Sequence, residues 1–420
     1  MADGKLSTLD VFGTSRDLPE NYVVRSHVDE KFVASLAKDR HVVIHGSSKQ
    51  GKTSLRKMHL KPEECKIITC QRSWKLVDIH DAILKLAGYE LTLSSEHAVN
   101  GSRKVSLSSG VGAKSEGEDV SDLVRKRSLE ITIENTTDVI EALRVLEFNK
   151  FFVIEEFHYL EEDVQIAFAQ GLKAFHEQSK VCFIIVGVWL ESDRLISLNN
   201  DLSGRVVSVD ADKWLDQDID ELFKRSESLL NISFAPGFKK AVRQHGRGNV
   251  FLVQQLCMEA CERQGVYFAQ DSEALIAADL DVHELIKSVL DEQTGRYQKF
   301  LMEFSAGFSS TEFDLYKWML CPLIVLEDHL LENGVTAQAL RRFLERKHPQ
   351  GKDIKIARLL AALNKVLELQ RQKKISPIII EFDQARNRLK IVDKGFLAWR
   401  AFQDQEELLQ LADLSEELVA

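Results

Sequence analysis

Near-continuous apolar segments of strand length recur through the first two hundred residues. They are HVVIH (41–45), CKIITC (65–70), KFFVIEE (150–156), KVCFIIVG (180–187) and RVVSVD (205–210). Continuous apolar runs are typical of parallel strands that are buried on both faces. Segments with helical spacing separate them, among them TTDVIEALRVLEF and EDVQIAFAQGLKAFHEQ. This alternation predicts an α/β fold with a doubly wound parallel sheet.

The pattern changes after Trp214, where the strand-like runs stop and helical spacing takes over. The helical stretch predicts a small helical lid domain. From about Arg296 to Phe402, further helices precede two short alternating runs, PIIIEF and RLKIVD, which DQARN joins. Helices followed by such a hairpin predict an α+β winged helix. The last residues form an acidic segment, DQEELLQLADLSEELVA, for which we expect a solvated helix or tail.

One segment interrupts the alternation. Residues 92–128 are rich in Ser, Gly and charge and have little apolar content. Such a composition predicts a mobile surface insertion with weak order. It is either a tolerated loop or a contact element for a partner or neighbouring subunit. The predicted domains are an N-terminal segment (1–40), a core (41–213) that carries this insertion, a helical lid (214–295), a winged helix (296–402) and an acidic tail (403–420).

Composition narrows the class of protein. The chain has 420 residues, of which 44% are apolar and 29% charged, which is ordinary for a soluble protein. We found no apolar run long enough to span a membrane and no leader-like start, so we expect a cytoplasmic protein without membrane contact. Cys257 and Cys261 lie one helical turn apart, but two ligands make a poor metal site, and we expect packed, reduced thiols.

Charge is distributed unevenly along the chain. The net charge is −10, yet the stretch Arg341–Arg400 carries 16 Lys and Arg against 6 Asp and Glu. Local clusters of cations, more than net charge, determine nucleic-acid binding. The candidate DNA-contacting cations lie on or beside the predicted wing: Lys373, Lys374, Arg386, Arg388 and Lys390.

The sequence GSSKQGKT (46–53) lies between an apolar strand and a predicted helix. Its glycines allow backbone N–H groups to wrap phosphates, and the helix N-terminus adds its positive dipole end. Lys52 would reach the β and γ phosphates, and the Thr53 hydroxyl would bind Mg²⁺. A glycine turn with a solvated lysine is the alternative. The predicted ATP-binding loop comprises Gly46, Ser47, Ser48, Lys49, Gln50, Gly51, Lys52, Thr53 and Ser54.

A second candidate site lies directly after the apolar run FFVI (151–154). Glu155 and Glu156 follow it directly, where a carboxylate would act on magnesium and another would serve as general base. Adjacent residues of a strand point to opposite faces, so we expect one of the two carboxylates to face the metal. Either glutamate can be the metal ligand and the other the general base. The alternative is a charged strand end on the surface. With Lys52, these residues make the chain a predicted phosphate-loop ATPase.

The motifs GSSKQGKTSL, IEEFHYL, FIIVGVWLESDRLISLNNDLSGRVVSVDADKW and GRGNVFLVQQL occur in the order found in AAA+ ATPases and the related STAND signalling ATPases. The resemblance covers about residues 18–265 and is greatest to the origin-recognition and transposition-regulator ATPases. It implies that Tyr22, Val23 and Arg25 line the adenine pocket. It also implies that Arg205 is presented to the γ phosphate of a neighbouring subunit. A surface salt bridge is the alternative for Arg205.

The chain departs from this family at two places. Val188 and Trp189 follow strand FIIVG, where a hydroxyl or amide is usual. Phe251 stands roughly where many members carry a lid arginine, although Arg247 is a candidate substitute. Because that cation couples hydrolysis to lid movement, its absence favours a slow switch over a motor. His158 and His245 are expected to be structural.

The leading hypothesis is an ATP-dependent switch in which ATP orders the lid and subunits associate through Arg205. The winged helix would then bind duplex DNA. The alternative is a STAND-like sensor or antiviral-defence ATPase that acts on a separate effector protein. A degenerate ATPase that binds nucleotide structurally is a third possibility.

Overall fold

The computed structural model describes residues 5–13, 17–95, 104–109, 127–308 and 312–415 of the chain. These residues pack as two compact units. The sheet unit comprises Ser26–His45 and Leu55–Asp210, and the helical unit comprises Met1–Arg25, Gly46–Ser54 and Ala211–Ala420. Each unit has an apolar core. Across the part of the chain that is described, no helix is both long and apolar enough to cross a membrane.

A five-stranded parallel sheet organises the sheet unit. Its strands are β1 (His41–His45), β2 (Cys65–Thr69), β6 (Phe151–Glu155), β7 (Phe183–Val186) and β8 (Val206–Asp210). Their order is β2-β6-β7-β1-β8, and every neighbouring pair is parallel. All residues of β1 and β7 are buried, which accounts for their continuous apolar character. The α/β fold class that the sequence predicts is confirmed.

Helices cover the sheet through apolar faces. In the longest described helix, Glu162–Gln178, four apolar residues recur at helical spacing and are buried: Val164, Phe168, Leu172 and Phe175. The Phe175 ring lies 4.8 Å from that of Phe183 on β7. The helices up to Leu198 are α1 (Thr8–Phe12), α2 (Ser26–Leu36), α3 (Lys52–His59), α4 (Leu76–Ala87), α5 (Thr136–Val145), α6 (Glu162–Gln178) and α7 (Arg194–Leu198), with short 3₁₀ turns at Phe157–Tyr159 and Asn200–Leu202.

Part of the predicted insertion is ordered structure. Three antiparallel strands, β3 (Tyr89–Ser95), β4 (Lys104–Ser109) and β5 (Arg127–Thr132), form a separate sheet in the order β3-β4-β5. Val105 and Leu107 on β4 are buried in the core of the sheet unit. The prediction of weak order is therefore wrong for 92–95, 104–109 and 127–128, because the alternation of apolar and Ser positions in KVSLSS is that of a half-buried strand. The rest of the predicted insertion lies outside the described residues.

Buried His41 is held in one tautomer at the start of β1. The Phe183 N–H donates to its Nδ1 over 3.1 Å, so its Nε2–H donates to the Leu172 carbonyl over 2.9 Å. Burial lowers the pKa of His41 to about 4, although the Leu172 hydrogen bond opposes this shift. The folded protein therefore holds a neutral imidazole at this position.

Acid should destabilise the protein through His41. Its folded pKa of about 4 lies below the ordinary 6.5, so between these values the unfolded chain binds a proton that the folded protein does not. The free energy of unfolding is therefore highest above pH 6.5 and falls as the pH drops toward 4. The loss should approach about 1.4 kcal/mol per pH unit. In His41→Gln, whose amide can both donate and accept, denaturant unfolding should show a shallower pH dependence over this range. Equal slopes in His41→Gln and wild type would contradict this assignment, and exposed His329→Gln is the control.

The stretch 214–295 of the helical unit contains mainly helices, and its assignment as a lid stays a prediction. A short parallel pair, β9 (Ile232–Phe234) and β10 (Ala274–Ile276), was not predicted. Its helices are α8 (Asp216–Leu230), α9 (Pro236–Gly246), α10 (Val250–Arg263) and α11 (Val282–Asp291). Cys257 and Cys261 on α10 are buried thiols, and burial raises the pKa of Cys261 to about 12. Both lie in the apolar core, as expected from packing.

The remaining part combines helices with a three-stranded sheet. Strands β12 (Ile380–Asp383) and β13 (Arg388–Ile391) form the predicted hairpin, and β11 (Val335–Thr336) adds a third strand in the order β11-β13-β12. The helices are α12 (Thr294–Ser305), α13 (Leu315–Val325), α14 (Asp328–Glu332), α15 (Ala337–Lys347), α16 (Ile356–Leu363), α17 (Val366–Gln372), α18 (Lys394–Arg400) and α19 (Gln405–Leu411), with 3₁₀ turns at Glu312–Asp314 and Gly351–Asp353. Leu408 and Leu409 on α19 are buried, so the expectation of a solvated tail is wrong there, because LLQL supplies an apolar face.

Candidate functional site

The loop 46–53 leaves the carboxyl end of β1 and enters α3. Three of its residues have positive φ: Gly46 (143°), Lys49 (61°) and Gly51 (84°). A Cβ on Gly46 would lie 2.9 Å from the Asp212 backbone nitrogen, so both the conformation and the space require glycine there. Lys49 adopts a left-handed conformation that non-glycine residues rarely take, which is a form of strain found at ligand-binding loops.

The Lys52 ammonium is buried inside the loop. Its Nζ donates to the Gly46 carbonyl over 2.9 Å and to the Ser47 carbonyl over 2.5 Å. The side chain is only 8% exposed, whereas the next residue, Thr53, is exposed. The loop surrounds this buried ammonium, which donates to two carbonyls of the loop itself. Phosphate oxygens can replace these two carbonyls as acceptors. The geometry fits an anionic ligand.

Residues far along the chain hold the loop. The Ser47 N–H donates to Asp212 Oδ1 over 2.9 Å, and Asp212 Oδ2 lies 3.0 Å from Lys394 Nζ on α18. The Gln50 amide donates to Asn249 Oδ1 over 3.3 Å and accepts from the Val250 N–H over 3.4 Å, at the start of α10. Our sequence reasoning missed Asp212, Asn249 and Lys394, because no motif marks them.

The predicted adenine-pocket residues lie within one part of the helical unit. Arg25 is almost fully buried and donates to the backbone carbonyls of Ala211 and Lys213 over 2.9 and 3.2 Å. Its guanidinium lies 4.1 Å from the centroid of the Trp214 ring, and Trp214 Nε1 donates to the Gln50 carbonyl over 3.4 Å. Arg25 therefore links the N-terminal segment to the loop through Trp214.

The other two predicted adenine-pocket residues differ in exposure. Val23 is buried in the core and Tyr22 is half-buried. Of these two residues, Tyr22 is therefore the one with exposed side-chain surface that an adenine base could contact.

Phe251 holds a cation from the loop. The Lys49 ammonium lies 3.7 Å from the centroid of its ring, within the range of a cation–π interaction. Burial lowers the pKa of Lys49, and the nearby Arg296 charge lowers it further. Arg247, the candidate substitute for a lid arginine, instead pairs with Asp328 over 2.6 Å. Arg296, which no sequence motif marks, lines the same cavity as Lys49.

Glu155 and Glu156 have different surroundings. Glu155 ends β6 and its Oε1 accepts from Arg56 Nε over 3.0 Å, in a pair whose side chains are 17% and 8% exposed. Glu156 has a left-handed conformation, with φ of 58°, and its side chain is 43% exposed. The strand ends before Glu156, so the expectation that the two side chains alternate across a strand is wrong. Burial raises the pKa of Cys70 to about 12, and the Glu156 charge adds to that shift.

Aromatic packing surrounds the end of β7. Trp189 is fully buried, and a Cβ on Gly187 would overlap its ring. The Val188 N–H donates to His158 Nδ1 over 3.4 Å, so His158 has a backbone partner. The two residues after Gly187 therefore contribute packing and a backbone contact here.

Arg205 makes contacts on its own surface. It pairs with Glu177 over 2.7 Å and donates to the Asp201 carbonyl over 2.5 Å. The arrangement is the surface salt bridge that the sequence left as an alternative. A role toward a neighbouring subunit remains a prediction, and it requires exchange of the Glu177 partner.

The predicted DNA-contacting cations are partly engaged within the chain. Arg386 pairs with buried Asp383 over 3.2 Å, and Lys390 pairs with the same carboxylate over 2.6 Å. Arg388 donates to the carbonyls of Asn333 and Gly334 over 3.1 and 2.9 Å. Lys373 lies 3.8 Å from Glu303, and Lys374 is exposed.

Magnesium would require oxygen ligands at this site. Among the described residues, no group of three or more His, Cys, Asp or Glu is arranged to hold a metal ion. Mg²⁺ at nucleotide sites needs only one or two protein oxygens beside phosphate oxygens and waters. The exposed Thr53 hydroxyl and the Glu155 carboxylate, whose Oε1 is used by Arg56, supply this donor type. By donor type, each of these two residues suits such an ion.

Comparison with known proteins gives structural likeness without sequence likeness. No family model and no curated protein match the chain. The Walker-type ATPase paby2304 of Pyrococcus abyssi is similar in structure, with a TM-score of 0.55 and 15% identity over 93% of this chain and 100% of that one. At this identity the likeness establishes the fold alone.

Two further solved structures also match along most of their length. The ORC2 protein of Aeropyrum pernix, in ADPNP–ADP complexes, is 12% identical over 97% of each chain, with a TM-score of 0.49. Cdc6p from Pyrobaculum aerophilum is 13% identical over 98% of each chain, with a TM-score of 0.38. Of these three structures, the P. abyssi protein has a TM-score above 0.5, and this chain shares its α/β fold.

Proposed function

We propose that the chain is a slow ATPase of the AAA+ type that works as a molecular switch. The observation that carries this proposal is the loop itself, where a buried Lys52 ammonium is held by carbonyls inside a left-handed glycine turn. The Walker-type fold supports it. ATP is the proposed ligand and ADP with phosphate the proposed products.

In this proposal the loop binds the triphosphate. Lys52 exchanges its two carbonyl acceptors for β- and γ-phosphate oxygens, and the N–H groups at the start of α3 face the same anion. Tyr22 lies beside the base. Mg²⁺, when bound through Thr53 and Glu155, would neutralise developing phosphate charge.

Glu156 is the better candidate for the general base. Its carboxylate is more exposed than that of Glu155 and lies 3.5 Å from His158 Nε2, whereas Glu155 is paired with the permanently charged Arg56 guanidinium. A base must accept a proton from water, and an ion-paired carboxylate accepts one less readily. Glu155 then holds the Arg56 guanidinium on α3.

The loop's contacts offer a route from nucleotide state to the rest of the helical unit. Ser47 is bonded to Asp212, which is paired with Lys394 at the start of α18. Gln50 is bonded to both residues at the start of α10. A loop that moves on binding phosphate would alter these contacts. The region of helices and a three-stranded sheet that we interpret as a winged helix (296–402) would then respond.

The switch is tested by measuring size and phosphate release together. Light scattering of the full chain with ATP, with ADP and without nucleotide should show assembly that depends on ATP, and phosphate release should reset it. Phosphate release without any nucleotide-dependent change in size or shape would leave an ATPase but refute the switch.

DNA binding through the winged helix is the first proposed output. Lys374 and Arg386 are its most exposed predicted contacts. The double variant Lys374→Glu, Arg386→Glu should weaken duplex binding and reduce the slope of log affinity against log salt by about 2. Fluorescence anisotropy at several salt concentrations measures both. Exposed Lys224→Glu, outside this region, is the matched control, and an unchanged slope in the double variant would exclude this surface.

An effector protein is the second proposed output. One observation favours it: Asp383, only 1% exposed, already pairs with Arg386 and Lys390, and Arg388 is bonded to backbone carbonyls. Cations that already pair with groups of their own chain should bind DNA phosphates less strongly. A stable protein partner on affinity purification, together with absence of nucleotide-dependent DNA binding, would select this output.

A further inference from the structure

Two neighbouring residues of the loop contact three consecutive residues at the start of α10. The Gln50 side-chain amide donates to Asn249 Oδ1 over 3.3 Å and accepts from the Val250 N–H over 3.4 Å. One residue earlier in the loop, the Lys49 ammonium lies 3.7 Å from the centroid of the Phe251 ring. Asn249 is also the N-cap of α10. Two adjacent side chains therefore bind the loop to the beginning of one long helix.

The backbone of Lys49 is held in an unfavourable conformation. Its φ is 61°, in the left-handed region that residues with a Cβ rarely adopt. Glycine would adopt this φ at little cost, but it has no side chain to reach Phe251. Strained residues persist where the surrounding contacts over-determine them, and here these are the Phe251 contact and the hydrogen bonds of Gln50. A lysine at this position therefore indicates a role for its side chain.

The Phe251 ring is the attractive partner of the Lys49 ammonium. Among the described residues, Lys49 pairs with no carboxylate. Its side chain is exposed along part of its length, yet burial around the ammonium lowers the Lys49 pKa, and the Arg296 charge lowers it further. An ammonium that has lost part of its water gains more from an aromatic face than a fully hydrated one. Loss of the ring contact should therefore be unfavourable, and the contact opposes movement of the loop.

We propose that Lys49 and Phe251 form a clasp, a cation–π contact that holds the loop against α10 and slows the release of bound nucleotide. This inference rests on the proposed function. Lys49 lies between Gly46 and Lys52, so a loop that encloses phosphates has to move this segment before the nucleotide leaves. The clasp binds a cation of the loop itself and no part of the nucleotide. It therefore slows the release of ADP and of ATP by the same factor.

Stopped-flow release from the full chain tests the clasp. The probes are ADP and a non-hydrolysable ATP analogue, each with a fluorescent group on the ribose, displaced by excess unlabelled nucleotide. Phe251→Leu and Lys49→Met should each speed release of both probes by about 3- to 10-fold, the effect expected from loss of one cation–π contact. The matched controls are Phe268→Leu and Lys224→Met, which remove an exposed ring and an exposed lysine of the same unit, and they should change neither rate.

Further variants separate the clasp from a general structural role. The double variant Lys49→Met, Phe251→Leu should release nucleotide no faster than the faster single variant, because both substitutions remove the same contact. Lys49→Arg and Phe251→Trp preserve a cation and an aromatic face, so neither should release nucleotide faster than wild type. Lys49→Met changes an exposed side chain, and it tests the clasp even if Phe251→Leu does not fold.

Three outcomes would overturn the clasp and leave the proposed function standing. They are unchanged release in Lys49→Met, effects of the two single variants that multiply in the double variant, and faster release of one nucleotide alone. The last result would mean that Phe251 or Lys49 acts on the nucleotide and not on the loop. Failure of the wild type to bind either probe at equilibrium would instead refute the proposed function.

Discussion

Lys52→Ala should reduce affinity for ATP by at least about 100-fold, equivalent to about 2.7 kcal/mol. The Lys52 ammonium is the buried cation of the loop, and each charge-assisted bond that it makes to phosphate contributes about 1.5–3 kcal/mol. Equilibrium titration with a non-hydrolysable analogue measures the loss. Phosphate release should fall to background in the same variant.

The same substitution should lower thermal stability slightly in the absence of nucleotide. It leaves the carbonyls of Gly46 and Ser47 without the ammonium that now bonds them. Lys57→Ala is the matched control, because Lys57 is an exposed lysine on the same helix. Comparable loss of affinity in Lys52→Ala and Lys57→Ala would show that general charge, and not the loop, binds the nucleotide.

Glu156→Gln should abolish turnover while ATP binding persists. Removal of a general base typically costs about 10²- to 10⁴-fold in rate, and Gln keeps the shape of the side chain. Because Glu156 follows the strand and its side chain is 43% exposed, its replacement should change the free energy of unfolding by no more than about 0.5 kcal/mol. Single-turnover phosphate release and nucleotide titration on the same preparation separate the rate from the affinity.

Glu155→Gln should behave differently. It leaves the largely buried Arg56 guanidinium without its carboxylate, so the melting temperature should drop along with activity. Arg56→Gln should reproduce the loss of stability. If Glu156→Gln retains full turnover, or if Glu155→Gln leaves stability unchanged and alone abolishes activity, the two roles are exchanged.

Sequence was sufficient for the sheet and for the loop because both are local patterns. Uninterrupted apolar runs such as HVVIH predict buried parallel strands, and the glycines and lysine of GSSKQGKT have fixed spacing. The hairpin at PIIIEF and RLKIVD was likewise predictable from two alternating runs and a polar turn. Each of these elements is determined by neighbours within a few residues.

The parts that sequence missed depend on contacts between distant residues. Asp212, Lys394 and Arg296 carry no motif, and only the fold brings them beside the loop or its cavity. β4 was missed because its alternating serines resemble a polar linker. The left-handed backbone at Glu156 also follows from the turn after β6 and not from the carboxylate itself.

The loop's role as a nucleotide site is tested most directly by calorimetric titration of the wild-type chain with Mg²⁺ and a non-hydrolysable ATP analogue. We expect saturable binding of about one nucleotide per chain with micromolar or tighter affinity, and loss of that binding in Lys52→Ala. Absence of saturable binding in the wild type, or equal binding in Lys52→Ala, would contradict the account.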